Sequence, residues 1–113
     1  MDRMSRYWDL LVPLMREHDR LSRLNPQPGV ESVLLVDEAG RQARLLDIGW
    51  RDRKRVHDTY LYVRIKDGKV WVEEDWTEEG IANELVRAGV PKEDIVLAFH
   101  PPEVRRLGEF AVA

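Results

Sequence analysis

Residues able to do chemistry are scattered along this chain. Its histidines are His18, His57 and His100, and no two stand at the i, i+4 spacing that offers two imidazoles to one zinc ion. Cysteine is absent, which removes thiolate nucleophiles, disulfides and the sulfur ligands of structural zinc. The acidic run Glu73-Glu74-Asp75, with Glu78 and Glu79 beyond it, has oxygen enough for a divalent ion. Strand alternation, however, aims Glu73 and Glu74 at opposite faces, and an oxygen site needs several convergent ligands. Glu78 and Glu79 suit a helix start, where the helix dipole favours negative charge. The glycines are dispersed rather than gathered into a phosphate-binding loop. No serine or threonine has a base and an orienting acid nearby in sequence. The expectation is a chain with no catalytic residue, no metal and no cofactor.

Two other groups carry binding chemistry. Arg51, Arg53, Lys54 and Arg55 form a basic knot around Asp52, and a hairpin loop of that kind can touch phosphate. The formal net charge of −3 argues against direct DNA binding by this chain alone. Tyr60, Tyr62, Arg64 and Trp71 form the second group. Aromatic rings with arginine among them are what protein interfaces concentrate at their hot spots.

The elements that must position these groups are legible from periodicity. Tyr7, Leu11, Leu14, His18 and Leu21 recur at helical spacing, which predicts an amphipathic helix over 2–24. Pro13 lies inside it and predicts a kink or a later start. Asn25-Pro26-Gln27-Pro28-Gly29 is a linker. The period then changes to that of strands, predicting a sheet over 32–74. Glu38-Ala39-Gly40 turns the chain after the first strand. Asp67-Gly68 suits a two-residue hairpin turn with positive φ at both positions. That turn pairs Ile65 with Val70, Arg64 with Trp71, Val63 with Val72 and Tyr62 with Glu73. Leu61, Val63, Ile65, Val70 and Val72 then line one face, and Tyr60, Tyr62, Arg64, Trp71 and Glu73 the other. Thr77 is the expected N-cap of a helix over 78–88 that ends at Gly89, with Leu85 against the aliphatic face. Residues 95–113 supply an edge strand and a tail. The class is α+β, an antiparallel meander of four or five strands flanked by an N-terminal helix and a helix in the C-terminal half.

Length fits one domain, 1–113. No stretch approaches the ~20 apolar residues of a membrane helix, and no signal-peptide pattern opens the chain, so the expected place is the cytoplasm.

The run GIANELVRAGVPKEDIVLAFHPPEVR, the ending EFAVA and the preceding KDGKVWVEEDWTE closely resemble the XisI family, the fdxN-element excision controlling factor of cyanobacteria. The likeness extends more faintly through LLDIGW to the first helix. It implies a regulatory role in programmed DNA-element excision, beside a site-specific recombinase and with a companion controlling factor of nuclease-like fold. The resulting expectation is a non-catalytic module that binds such a partner through Tyr60, Tyr62, Arg64 and Trp71. When the partner is absent, the chain is expected to form a homodimer through the same surface. The alternatives are a DNA-binding accessory factor using the 51–55 loop, and an antitoxin-like partner of a nuclease in a two-gene pair.

Overall fold

A computed structural model describes residues 2–113. The elements run α1 (Arg3–Leu24), β1 (Val30–Asp37), β2 (Gln42–Arg51), β3 (Lys54–Lys66), β4 (Lys69–Asp75), α2 (Ile81–Ala88), a 3-10 turn (Lys92–Asp94), β5 (Ile95–Leu97) and the short α3 (Pro102–Arg105). The strands form one sheet in the order β1-β2-β3-β4-β5. The first four are an antiparallel meander, and β5 joins β4 in parallel. A parallel neighbour requires a crossover connection, and α2 is that connection. The class is therefore the α+β expected from periodicity.

Asp2 starts α1, its carboxylate accepting from the Ser5 N–H at 2.7 Å. The helix continues unbroken through Pro13, which is exposed, so the later start expected from that proline does not occur. Its buried residues are Tyr7, Trp8, Leu11 and Met15. Leu21, which the sequence pattern assigns to the apolar stripe, is 47% exposed, and Leu24 is 62% exposed. Two of the buried aromatics reach polar partners at their tips, as buried Tyr and Trp must. The Tyr7 hydroxyl donates to Asp94, and the Trp8 indole N–H donates to Glu38 at 2.6 Å.

Both α1 and α2 pack on the same face of the sheet. One cluster contains Tyr7, Leu11 and Met15 of α1, Ile81 and Leu85 of α2, and Leu61, Val63, Ile65, Val70 and Val72 of the sheet. His18 joins the two helices through a 2.6 Å contact with Glu84. The aliphatic face is thus doubly covered, and neither long helix crosses to the other side.

Two local expectations hold and one moves. Asp67 and Gly68 both have positive φ, and the flanking pairs Lys66–Lys69, Ile65–Val70, Arg64–Trp71 and Val63–Val72 follow as expected. Gly89 ends α2 in the left-handed conformation, with Val90 N–H returning to the Leu85 carbonyl and Gly89 N–H to that of Val86, a Schellman end. The start of α2 is displaced from residue 78 to Ile81, and Thr77 is not the cap. Asp75 takes that work. Its carboxylate accepts from Ile81 N–H at 2.7 Å and Thr77 N–H at 2.8 Å, and a charged acceptor is the stronger partner for these free donors.

β5 lies at the edge of the sheet, as expected from sequence, and the C-terminal tail covers part of that edge. Ala111 bridges Val96 in parallel and donates its N–H to the Ile95 carbonyl at 2.9 Å. β1 remains the one outermost named strand without such a neighbour among the described residues. No helix among these residues is long and apolar enough to cross a membrane.

Candidate interaction surface

The face of the sheet turned away from α1 and α2 carries Tyr62, Arg64 and Trp71. Alternation from the buried Val63, Ile65 and Val72 puts them there. Gln42 and Arg44 of β2 pair with Arg64 and Tyr62, and Leu35 of β1 pairs with Arg44, so all three share the face. Leu35 is 52% exposed.

Two bulges shape this surface, and each overturns a sequence expectation. Between Val63–Val72 and Tyr62–Glu74 the ladder skips Glu73, so Tyr62 faces Glu74 rather than Glu73. Between Leu45–Leu61 and Leu46–Thr59 it skips Tyr60. An unpaired extra residue re-aims its side chain. Tyr60 consequently packs against the core cluster and lines a cleft with Leu21 of α1, on the helix side. It does not join Tyr62 and Trp71, and the four expected site residues become three.

Pairing Arg64 with Trp71 predicts a cation–π contact between them, but Arg64 is not laid on the Trp71 ring. Its Nε and Nη2 donate to one Glu73 oxygen at 2.9 and 2.7 Å. The cations over the indole are Lys66, at 4.5 Å from the centroid, and Arg105 of α3, at 6.0 Å. The Trp71 N–H donates to the Lys66 carbonyl at 2.9 Å. The Tyr62 hydroxyl donates to Gln42 at 2.5 Å, and the Arg44 guanidinium lies 6.0 Å from the Tyr62 ring. Both rings are thereby held in fixed orientations, which is what a docking surface needs if binding is not to cost side-chain entropy. In the sequence Arg44 is a cation upstream of the basic knot and Arg105 forms a small basic patch with Arg106, but nothing local places either of them, or Leu35, Gln42 or Lys66, at this surface. Leu35, Gln42, Arg44 and Lys66 follow from strand register. Arg105 arrives by the return of the tail, for which no local signal exists.

The basic knot lies at the tip of the β2–β3 hairpin. Arg51 pairs with Lys54 and Trp50 with Arg55, leaving Asp52-Arg53 as a two-residue turn. The knot is confined to this hairpin end and shares no residue with the outer face. His57 is exposed on β3, and His100 stacks tilted against Phe99. Among the described residues no group of three or more His, Asp or Glu is placed to hold a metal ion.

A model of the XisI protein family matches residues 1–112. The chain belongs to the XisI family. Among solved structures it is similar to the fdxN element excision controlling factor XisI from Anabaena variabilis, at 37% identity with a TM-score of 0.86, over 99% of this chain and 100% of that one. It is also similar to a XisI-like protein from Anabaena variabilis, at 31% identity with a TM-score of 0.88, over 97% of this chain and 99% of that one. Curated proteins give no significant match.

One electrostatic feature of this XisI chain sits on the helix side. Asp47 pairs directly with Asp58 across β2 and β3. Burial, and then the charge of Asp58, raise the Asp47 carboxyl above the ordinary value of 3.8. A carboxyl whose folded pKa is raised opposes folding when ionised. That penalty is full at neutral pH, shrinks as pH falls through the raised folded value, and is absent well below 3.8. Asp47→Asn is therefore expected to stabilise by about 0.2–1 kcal/mol at neutral pH, the range for a like-charge cross-strand pair. Calorimetric melting of both proteins should show this gain fading toward acid. An equal gain at acid and neutral pH would contradict the pairing.

Proposed function

We propose that this chain is a non-catalytic controlling factor in the excision of a DNA element, acting through a protein partner. The solved XisI relative is named an fdxN element excision controlling factor, and family membership supports a role in element excision for this chain. The observation that carries the mechanism is the placement of both long helices on one face, which leaves Tyr62, Trp71, Arg44 and Leu35 as an ordered aromatic and cationic surface on the other. The partner is a nuclease-like companion factor, working beside a site-specific recombinase. In its absence a second copy of this chain covers the same surface.

A hot-spot pair of Tyr and Trp supplies a large part of such a contact. In a host that carries the element, Tyr62→Ala with Trp71→Ala should abolish excision while the chain accumulates to its normal level. The readout is amplification across the rejoined ends. Normal excision with this variant would remove the outer face from the mechanism.

A further inference from the structure

The two tight hairpins of this sheet use the same turn with different residues. At Asp67-Gly68 the second left-handed position, φ +75, is glycine, whereas at Asp52-Arg53 it is arginine, φ +66. A β-carbon is strained at such a φ and glycine is not. The β2–β3 tip thus keeps a cation where the fold alone favours glycine. Arg51 and Lys54 face each other directly, a like-charge cross-strand pair that further weakens the tip. Local strain and repulsion of this kind are retained where function requires them.

Arg51, Arg53, Lys54 and Arg55 are all exposed. Among the described residues none of the four forms a salt bridge, although Arg3, Arg20, Arg23, Arg41, Arg64 and Arg87 all do. Arg51 donates only to the neutral Gln27 amide oxygen. Trp50, 57% exposed, lies beside them. Arg55 rests 5.4 Å from its ring centroid and donates to the Gly49 carbonyl at 3.3 Å, so this guanidinium is held in place. Because Arg51–Lys54 and Trp50–Arg55 are successive cross-strand pairs, they fall on opposite faces of the ribbon. Cations therefore stand on both faces and at the tip.

We propose that the β2–β3 tip is a contact for duplex nucleic acid, entering the major groove with its cations toward the phosphates of both walls. A two-stranded ribbon fits a groove about 12 Å wide. An acidic protein surface would engage one face of the ribbon, whereas a groove presents anions to both. The net charge of −3 keeps the contact weak for the isolated chain, so it serves within an assembly whose other members hold the DNA. This site shares no residue with the outer sheet face, and the two stand or fall separately.

The test is fluorescence anisotropy of the full chain with a labelled duplex of about 20 base pairs and a single strand of the same length. With three or four phosphate contacts, affinity should fall about 40- to 150-fold between roughly 50 and 200 mM KCl. The duplex should bind more tightly than the single strand. Arg53→Glu with Lys54→Glu and Arg55→Glu should abolish binding, and Arg53→Gly, which relieves the turn, should weaken it while the melting temperature rises. Reversing Arg16 and Arg20 on α1 should change little. Absence of binding at the lower salt, indifference to the triple reversal, or preference for the single strand would overturn the proposal. So would loss of companion-protein binding in the triple variant without any oligonucleotide binding by the parent.

Discussion

Leu85→Ala is expected to destabilise the chain by about 2–5 kcal/mol, the sum of lost transfer energy and the cavity left behind. Leu85 is fully buried on α2, within the cluster that also holds Tyr7 and Leu11 of α1 and Val70 and Val72 of β4. It sits where both helices meet the sheet, so no single element can move in to fill the gap. Its carbonyl also accepts the Val90 N–H that closes the helix. A urea midpoint reports the loss. An unchanged midpoint would place Leu85 away from the core and would reverse the assignment of faces, including which one is free for a partner.

A comparable loss is expected from Gly49→Ala. This residue pairs with Val30 on one side and Val56 on the other. A β-carbon there would lie 1.9 Å from the Gly29 carbonyl oxygen and 2.8 Å from the Val30 Cα. Those neighbours are backbone and are pinned, since the same carbonyl accepts the Trp50 N–H at 2.9 Å. The backbone at Gly49 has φ +154, which L side chains rarely adopt. Overpacking and backbone strain together predict about 2–6 kcal/mol. Thermal melting should register it plainly, and a wild-type melting temperature would show that the linker does not sit against β2. The position also fixes the base of the β2–β3 hairpin, and hence where its cationic tip projects.

Features set by neighbours along the chain are legible in the residues themselves. Asp67-Gly68 demands one turn, that turn dictates register, and register delivers Arg64 opposite Trp71. The aliphatic face and Leu85 follow from period alone. What escapes is structure that leaves no mark on composition. A bulge inserts one residue without changing the residue types around it, so strict alternation groups Tyr60 with Tyr62 although the ladder skips it. The loop at 51–55 is legible, but its two-residue turn at Asp52-Arg53 is not, because arginine gives no hint of positive φ. Asp75 caps α2 from six residues before Ile81, farther than a local capping pattern reaches. Arg105 comes to the Trp71 ring only because the tail folds back along β5. The bulge at Tyr60 and the returning tail each alter the candidate surface by one residue and leave its location on the sheet unchanged.

If the sheet face opposite the helices binds a protein partner, its two aromatic anchors must carry much of the affinity. Isothermal titration with the proposed nuclease-like companion factor tests this most directly, using the parent chain and the Tyr62→Ala, Trp71→Ala variant. Each hot-spot truncation costs about 2 kcal/mol or more, so the variant should bind roughly 1,000-fold more weakly, with an unchanged far-UV circular dichroism spectrum. Equal affinity in the two proteins would contradict a partner site on this face and place it elsewhere on the chain.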